Sequence, residues 1–208
     1  MIQEIFTIGH SQHPLDTFLQ MLSRYDITAV ADVRSQPYSG VHPHFSREPL
    51  EEALKNHKIQ YVFLGKELGG RTRDDTCYIG GQVDYERLAG TLEFKNGINR
   101  ILRGMQLFRV VLLCAEKEPL HCHRSILVGR RLREHGVNVR HILENGDLED
   151  HEQTIERLLT LLNISEPHMF LHDKQAIVSL AYQLQGEKIA FFAEQSITAR
   201  QVRSKAGL

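Results

Sequence analysis

The sequence predicts an α/β fold: a mainly parallel sheet of about five strands flanked by helices on both faces, with a helical C-terminal extension. Three observations predict it. Short β-branched and aliphatic runs alternate along the chain with stretches of helical periodicity. The runs are apolar nearly throughout, as strands covered on both faces are. The composition, 41% hydrophobic and 25% charged over 208 residues, is an ordinary globular balance that can build a core without disulfides.

The elements follow in order. Ile5 to Ile8 is an apolar run ending at Gly9 and predicts a first strand. Pro14 opens a helical pattern with Phe18, Met21 and Leu22 on one face. Ile27 to Asp32 predicts a second strand, and Val33 to Phe45, with two prolines and Gly40, a loop. Ser46 suits the N-cap of a helix reaching about Lys55, and Gln60 to Leu64 predicts a third strand. Gly65 to Gly81 is glycine-rich and polar, and predicts a second long loop. Helices are expected near Asp84–Ala89 and Glu93–Met105, with Gly90 between them. Arg109 to Cys114 gives the clearest strand pattern, and Ala115 to His123 a loop. Arg124 to His135 predicts a helix with Ile126, Leu127 and Leu132 inward, stopped by Gly136. Val137 to Ile142 closes the alternating unit, and a helix near Leu148–Leu162 follows.

This divides the chain into an α/β domain, residues 1–165, and an extension, residues 166–208. The extension carries Ile177, Leu180, Ala181 and Leu184 at helical spacing, then a basic stretch with Arg200, Arg203 and Lys205. How it docks is not set by sequence, and neither is the oligomeric state.

Composition excludes some classes. A formal net charge of −1 gives the whole chain no electrostatic case for nucleic acid or membrane surfaces. No apolar run approaches the roughly 18–20 residues that span a bilayer, and the N-terminus lacks a signal-peptide layout. Three cysteines make an odd, sparse set unlike a disulfide framework, which points to a reducing cytoplasm.

Ligands of open parallel sheets bind beyond the carboxyl ends of the strands. That rule collects His10 and Ser11 after the first strand, and Asp32, Arg34 and Tyr38 at the second. Gly69, Gly70 and Arg71 lie beyond the third, and Cys114, Glu116, Cys122, His123 and Arg124 after the fourth. Cys122 stands out, because a helix N-terminus and the flanking His121, His123 and Arg124 all favour its thiolate. The alternative is a small buried core thiol. Cys114 ends a buried strand and reads equally as core or as a second thiol. Arg34 and Arg124 can fork onto a phosphate or carboxylate, or simply be solvated. Asp32 and Glu116 can orient His10 or His123, or pair with arginine. Gly69 and Gly70 can make a turn or let backbone approach a ligand, and Tyr38 can cover a substrate or anchor the loop.

Cys114, His121, Cys122 and His123 could offer soft ligands, but adjacent residues of a His-Cys-His run rarely point at one centre, so no metal ligand is assigned. No cofactor is indicated. Dinucleotide, phosphate-loop and nucleophile-elbow signatures are absent. A tyrosine-phosphatase-type Cys-x₅-Arg loop fails too, since Val128 stands six residues after Cys122.

Taken in order, Thr7–Ser11, Asp32–Tyr38 (Asp-Val-Arg-Ser-Gln-Pro-Tyr), Leu64–Arg71 (Leu-Gly-Lys-Glu-Leu-Gly-Gly-Arg), Leu113–Glu116 and Cys122-His-Arg124 resemble the bacterial domain of unknown function 488 family. Val139–Ile142 fits the strand that closes the family pattern, so the resemblance covers about residues 5–142. It implies a compact α/β protein with polar motifs at one sheet edge, on the same residues as above, and no reaction.

The sequence-level expectation is a thiol-dependent enzyme for a small anionic or nucleotide-like substrate. Cys122 would be the nucleophile, His10 or His123 the base, Glu116 or Asp32 the orienting acid, and Arg34 with Arg124 the anion clamp. The alternatives are a binding module for an anion, nucleotide or nucleic-acid end, and a transition-metal site.

Overall fold

The computed structural model describes residues 3–164 and 174–193. Strand β1 (Glu4–Gly9) leads through helix α1 (Leu15–Arg24) to β2 (Ala29–Asp32), and α2 (Arg47–Asn56) leads to β3 (Gln60–Phe63). A short helix α3 (Gly65–Leu68) and a small hairpin, β4 (Tyr78–Ile79) with β5 (Gln82–Val83), precede α4 (Tyr85–Gly90) and α5 (Leu92–Gly104). After β6 (Val110–Cys114) come a π-helical turn (Arg124–Gly129), α6 (Arg130–Glu134), β7 (Asn138–Ile142) and β8 (Leu148–Asp150). Helices α7 (His151–Leu161) and α8 (Lys174–Ile189) complete the described chain.

The main sheet has the order β3-β2-β6-β1-β7-β8. Its first five strands pair in parallel, and β8 adds antiparallel to β7 at one edge. The mainly parallel sheet expected from the alternation is therefore present. The extra strand falls where sequence expected the start of a helix. Leu148 and Ile155 are seven residues apart and keep a helical period. The chain instead reverses at Gly146 (φ +82), pairs three residues with β7, and starts α7 at a capping box between Asp150 and Gln153. The expected loop Gly65–Gly81 likewise contains α3 and β4, too short to show a period.

Helices cover both faces of the sheet. Phe18 and Leu22 of α1, with Leu50 and Leu54 of α2, pack on Phe6, Ile8, Val30 and Val111. On the opposite face Phe94 and Ile98 of α5, with Val128 and Leu132, pack on Ile5, Ala31 and Leu112. Each such Phe or Leu contributes about 1.5–3 kcal/mol when fully buried. A third cluster joins Ile155 and Leu158 of α7 to Ile177, Ala181 and Tyr182 of α8 over Leu120 and Ile126.

The described part of the extension therefore packs on the α/β layer. Gln185 Nε2 donates to the Leu120 carbonyl at 2.6 Å, and the Val83 amide donates to the Phe191 carbonyl at 2.9 Å. Leu184 faces outward, because α8 buries the Ile177–Ala181–Gln185 line. Arg200, Arg203 and Lys205 lie outside the described residues. No helix among the described residues is long and apolar enough to cross a membrane.

Strand order positions the site. From β1 the chain crosses β6 to reach β2; from β6 it crosses β1 in the opposite direction to reach β7. Their helices leave to opposite faces, and a crevice opens between the carboxyl ends of β1 and β6.

Candidate active site

Gly9 and Cys114 face each other where β1 and β6 end. The ladder continues one step beyond each strand: the His10 amide donates to the Cys114 carbonyl and the Ser11 amide to the Ala115 carbonyl, both at 2.9 Å. The loop after β6 then folds directly over Gly9. A Cβ there would sit 1.8 Å from the Glu116 carbonyl oxygen, so only glycine fits. The crevice holds a pocket of about 440 Å³.

One wall is a buried ion pair. Asp32 is fully buried and Arg34 is 5% exposed. Arg34 Nε and Nη2 donate to the two carboxylate oxygens at 2.9 and 2.6 Å, and Tyr61 donates to the same carboxylate at 2.7 Å. Arg34 Nη1 donates to the Phe45 carbonyl at 2.8 Å and lies 3.2 Å from His10 Nε2. His10 Nδ1 is 3.0 Å from the Ser11 carbonyl, which fixes the hydrogen on Nδ1 and leaves Nε2 to accept from Arg34. Burial, then the Arg34 charge, push His10 down to about 4, so the ring is neutral.

The floor is a thiol cluster. Cys114 Sγ and Cys122 Sγ each lie 3.0 Å from Glu116 Oε2, within reach of a shared proton. His123 Nδ1 lies 3.7 Å from Cys114 Sγ, while its Nε2 donates to the Val33 carbonyl at 3.0 Å. Burial opposes ionisation of Cys122. The hydrogen bond from Cys114 and the charges of Arg124 and His123 outweigh it and hold this thiol well below its ordinary value. The Cys122 hydrogen bond, with burial, pushes Cys114 well above. Burial and the neighbouring Cys122 raise Glu116. His123 is raised by its Cys122 hydrogen bond and the cluster's negative charge, against the pull of burial. Four groups thus divide very few protons.

Arg124 locks this arrangement. It is fully buried; its Nη2 donates to the Lys117 carbonyl at 2.9 Å, its Nη1 to the Glu116 carbonyl, and its Nε to Thr7 Oγ1 at 3.3 Å. The loop that carries Glu116 is held from beneath by this one side chain.

Of the residues singled out from sequence, His10, Arg34, Tyr38, Gly70 and Arg71 line the pocket together with Cys114, Glu116 and His123. Tyr38 stands at the rim, 75% exposed. Arg71 holds its guanidinium 4.3 Å over the Phe191 ring. Five others do not line it. Asp32 is spent on Arg34 and Tyr61. Ser11 takes a left-handed φ of +48 and offers its carbonyl to His10. Gly69 packs on Ser35, where a Cβ would meet the hydroxyl at 2.5 Å. Cys122 lies behind Cys114, and Arg124 serves the loop rather than the pocket as its anion clamp. His10 has both ring nitrogens engaged, which leaves it none for a proton from substrate. His121, a candidate soft ligand in the sequence, sits exposed in a turn away from the cluster.

Sequence reasoning missed Ser35, Gln36, Tyr85, Ile189 and Phe191, all pocket residues. Ser35 and Gln36 adjoin Arg34 inside a recognised motif and could have been taken with it. Tyr85 opens α4, and Ile189 and Phe191 belong to the extension, so no strand-end rule reaches them.

No curated protein and no solved structure matches the chain. One family model does, over residues 14–130, which is narrower at both ends than the motif resemblance: Thr7–Ser11 and Val139–Ile142 fall outside it. That match spans more than half of the 208 residues, and the chain belongs to the family described as domain of unknown function DUF488.

Proposed function

We propose that this protein is a thiol-dependent enzyme that takes a small polar or anionic substrate into the crevice between β1 and β6. One observation carries the reading: two buried thiols converge on a single carboxylate oxygen at the floor of a pocket. Sequence favours Cys122 as the nucleophile. The geometry favours Cys114 as the attacking atom, because Cys114 lines the pocket and Cys122 does not. Glu116, 3.0 Å from Cys114 Sγ and raised by burial, accepts the thiol proton and so readies the sulfur as the nucleophile. Cys122 keeps negative charge beside the attacking thiol, and His123 supports it.

Arg71 meets the anionic group of the substrate. Arg34, its donors engaged by Asp32, Phe45 and His10, presents only its edge. The substrate charge follows from these two cations, and the net charge of −1 gives no reason to extend it to nucleic acid.

The test is alkylation of each cysteine by a small uncharged reagent as a function of pH, read by peptide mass spectrometry in cation-free protein. The expected result is modification of Cys114 ahead of Cys77 and Cys122, at a rate that falls at least tenfold in Glu116→Gln, because Glu116 takes the proton of a thiol that its surroundings otherwise keep protonated. If Cys114 is not the first cysteine modified, or Glu116→Gln leaves its rate unchanged, the enzyme reading fails.

A further inference from the structure

We infer that Cys114, Cys122 and His123 form a binding site for one soft divalent cation of the zinc type. The ligand atoms of Cys114, Cys122 and His123 all lie within 4.8 Å of one another. Glu116 Oε2 stands 3.0 Å from both sulfurs, outside this group of three. Two sulfurs and one imidazole nitrogen, with a fourth position open to water, suit a four-coordinate soft or borderline ion, with bonds of about 2.0–2.3 Å. A hard, oxygen-seeking cation is excluded by the two thiols.

The orientation of His123 supports this independently of the thiols. Its Nε2 hydrogen is committed to the Val33 carbonyl, so once the ring is neutral, as a bound cation requires, the Nδ1 lone pair is the one that faces the cluster. A hydrogen bond from the far nitrogen to a carbonyl is the usual means of orienting a metal-bound histidine. Gly70 lies beside the same ring, where a Cβ would come within 3.1 Å, so a side chain at this position would crowd His123.

The adjacency of Cys122 and His123, which in an extended chain would send the side chains apart, is resolved by the backbone. Cys122 is extended (φ −136, ψ 137) and His123 is helical (φ −61, ψ −23), and this change of conformation turns both toward one centre. The remaining ligand sits on a firm support: Cys114 ends the central strand β6, and Arg124 pins the carbonyls of Glu116 and Lys117 in the loop beside it. The site is thus assembled by the fold before any ion arrives.

The inference shares its residues with the proposed reaction but not its chemistry: a bound cation turns both thiolates from nucleophiles into ligands, and its removal frees them. The test uses the full chain, stripped with chelator and titrated with zinc chloride alone, with metal counted after desalting. A parallel titration with cobalt(II) is read by absorption. The expected result is one retained zinc per chain, a sulfur-to-cobalt charge-transfer band, and a raised Tm. Cys122→Ser and His123→Ala, checked as folded by circular dichroism, should each lose the band and weaken zinc at least tenfold. Wild-type protein that retains no zinc and shows no band overturns the inference, as does undiminished binding in both folded variants. Glu116-dependent alkylation of Cys114 in stripped protein without zinc binding would sink this inference alone; zinc binding with no Glu116-dependent alkylation would sink the thiol reading alone.

Discussion

His151 should make the protein acid-sensitive in a way that a single substitution removes. Thr7 on β1 and His141 on β7 are paired in the sheet, and Thr7 Oγ1 lies 2.7 Å from His141 Nδ1. His141 Nε2 lies 2.8 Å from His151 Nδ1, and His151 Nε2 lies 2.6 Å from the Tyr182 hydroxyl. Burial, then the Arg133 charge, push His151 down to about 4 from an ordinary 6.5, although Arg133 is itself paired with Glu152. Burial and the neighbouring His151 likewise hold His141 well below its ordinary value. The folded state keeps His151 neutral while the unfolded chain protonates it near 6.5. Its contribution is therefore complete above pH 6.5 and is lost as pH falls toward 4. At pH 5 the loss is about 1.5 pH units at ~1.36 kcal/mol each, or roughly 2 kcal/mol. Urea unfolding at pH 7 and pH 5, for wild type and His151→Gln, reads this as a double difference that cancels every other titrating group except His141. Wild type should lose roughly 2 kcal/mol more than the variant, about 1 M in urea midpoint for a slope near 2 kcal/mol per M. Parallel pH profiles for the two proteins would refute the neutral buried chain.

Asp32→Asn leaves the Arg34 guanidinium buried without its charge partner and should cost about 3–5 kcal/mol, read as a lowered urea midpoint at pH 7. An unchanged midpoint would mean that water reaches Arg34. Gly9→Ala forces the Glu116 carbonyl away and should cost about 1–3 kcal/mol or more while slowing Cys114 alkylation; a wild-type alkylation rate would show that the loop is not set by this contact. Tyr182→Phe removes the hydroxyl beside His151 Nε2 and should cost about 1–3 kcal/mol in the same unfolding assay, whereas a neutral result would place water there.

Much of the fold was legible because periodicity reports burial directly. Phe18, Met21 and Leu22 share a helix face in the sequence and in α1, and the apolar runs from Ile5 and Val110 became central strands. The edge strand β8 was not legible, since three residues carry too little pattern to oppose a helical period that runs on into α7. At the site, the strand-end rule found most of the pocket but not the duties of its members. Arg34 and Arg124 look alike in sequence as free guanidiniums. Their partners, Asp32 two residues away and the carbonyls of Glu116 and Lys117, show that both are committed inside the protein. Cys122 drew attention through its charged neighbours, while Cys114, at the end of an apolar run, read equally as core or as a second thiol.

The residues outside the family match explain why the thiol cluster can be so tightly arranged. Gly9 and His10 precede the match, and His141, His151 and Tyr182 follow it. Arg124, which holds the Glu116 loop, rests its Nε on Thr7; Thr7 contacts His141, His141 contacts His151, and His151 reaches Tyr182 on α8. The carboxylate that two thiols share is therefore braced, through one buried line of hydrogen bonds, by a helix on the far side of β7. The same helix ends at Ile189, and with Phe191 it closes the pocket wall under Arg71. Docking of α8 thus serves both sides of the site: it fixes the loop below the cluster and shapes the space above it. A substitution that loosens α8 should disturb the thiols without touching them, because it reaches Arg124 through Tyr182, His151, His141 and Thr7 and moves the pocket wall at Ile189 and Phe191.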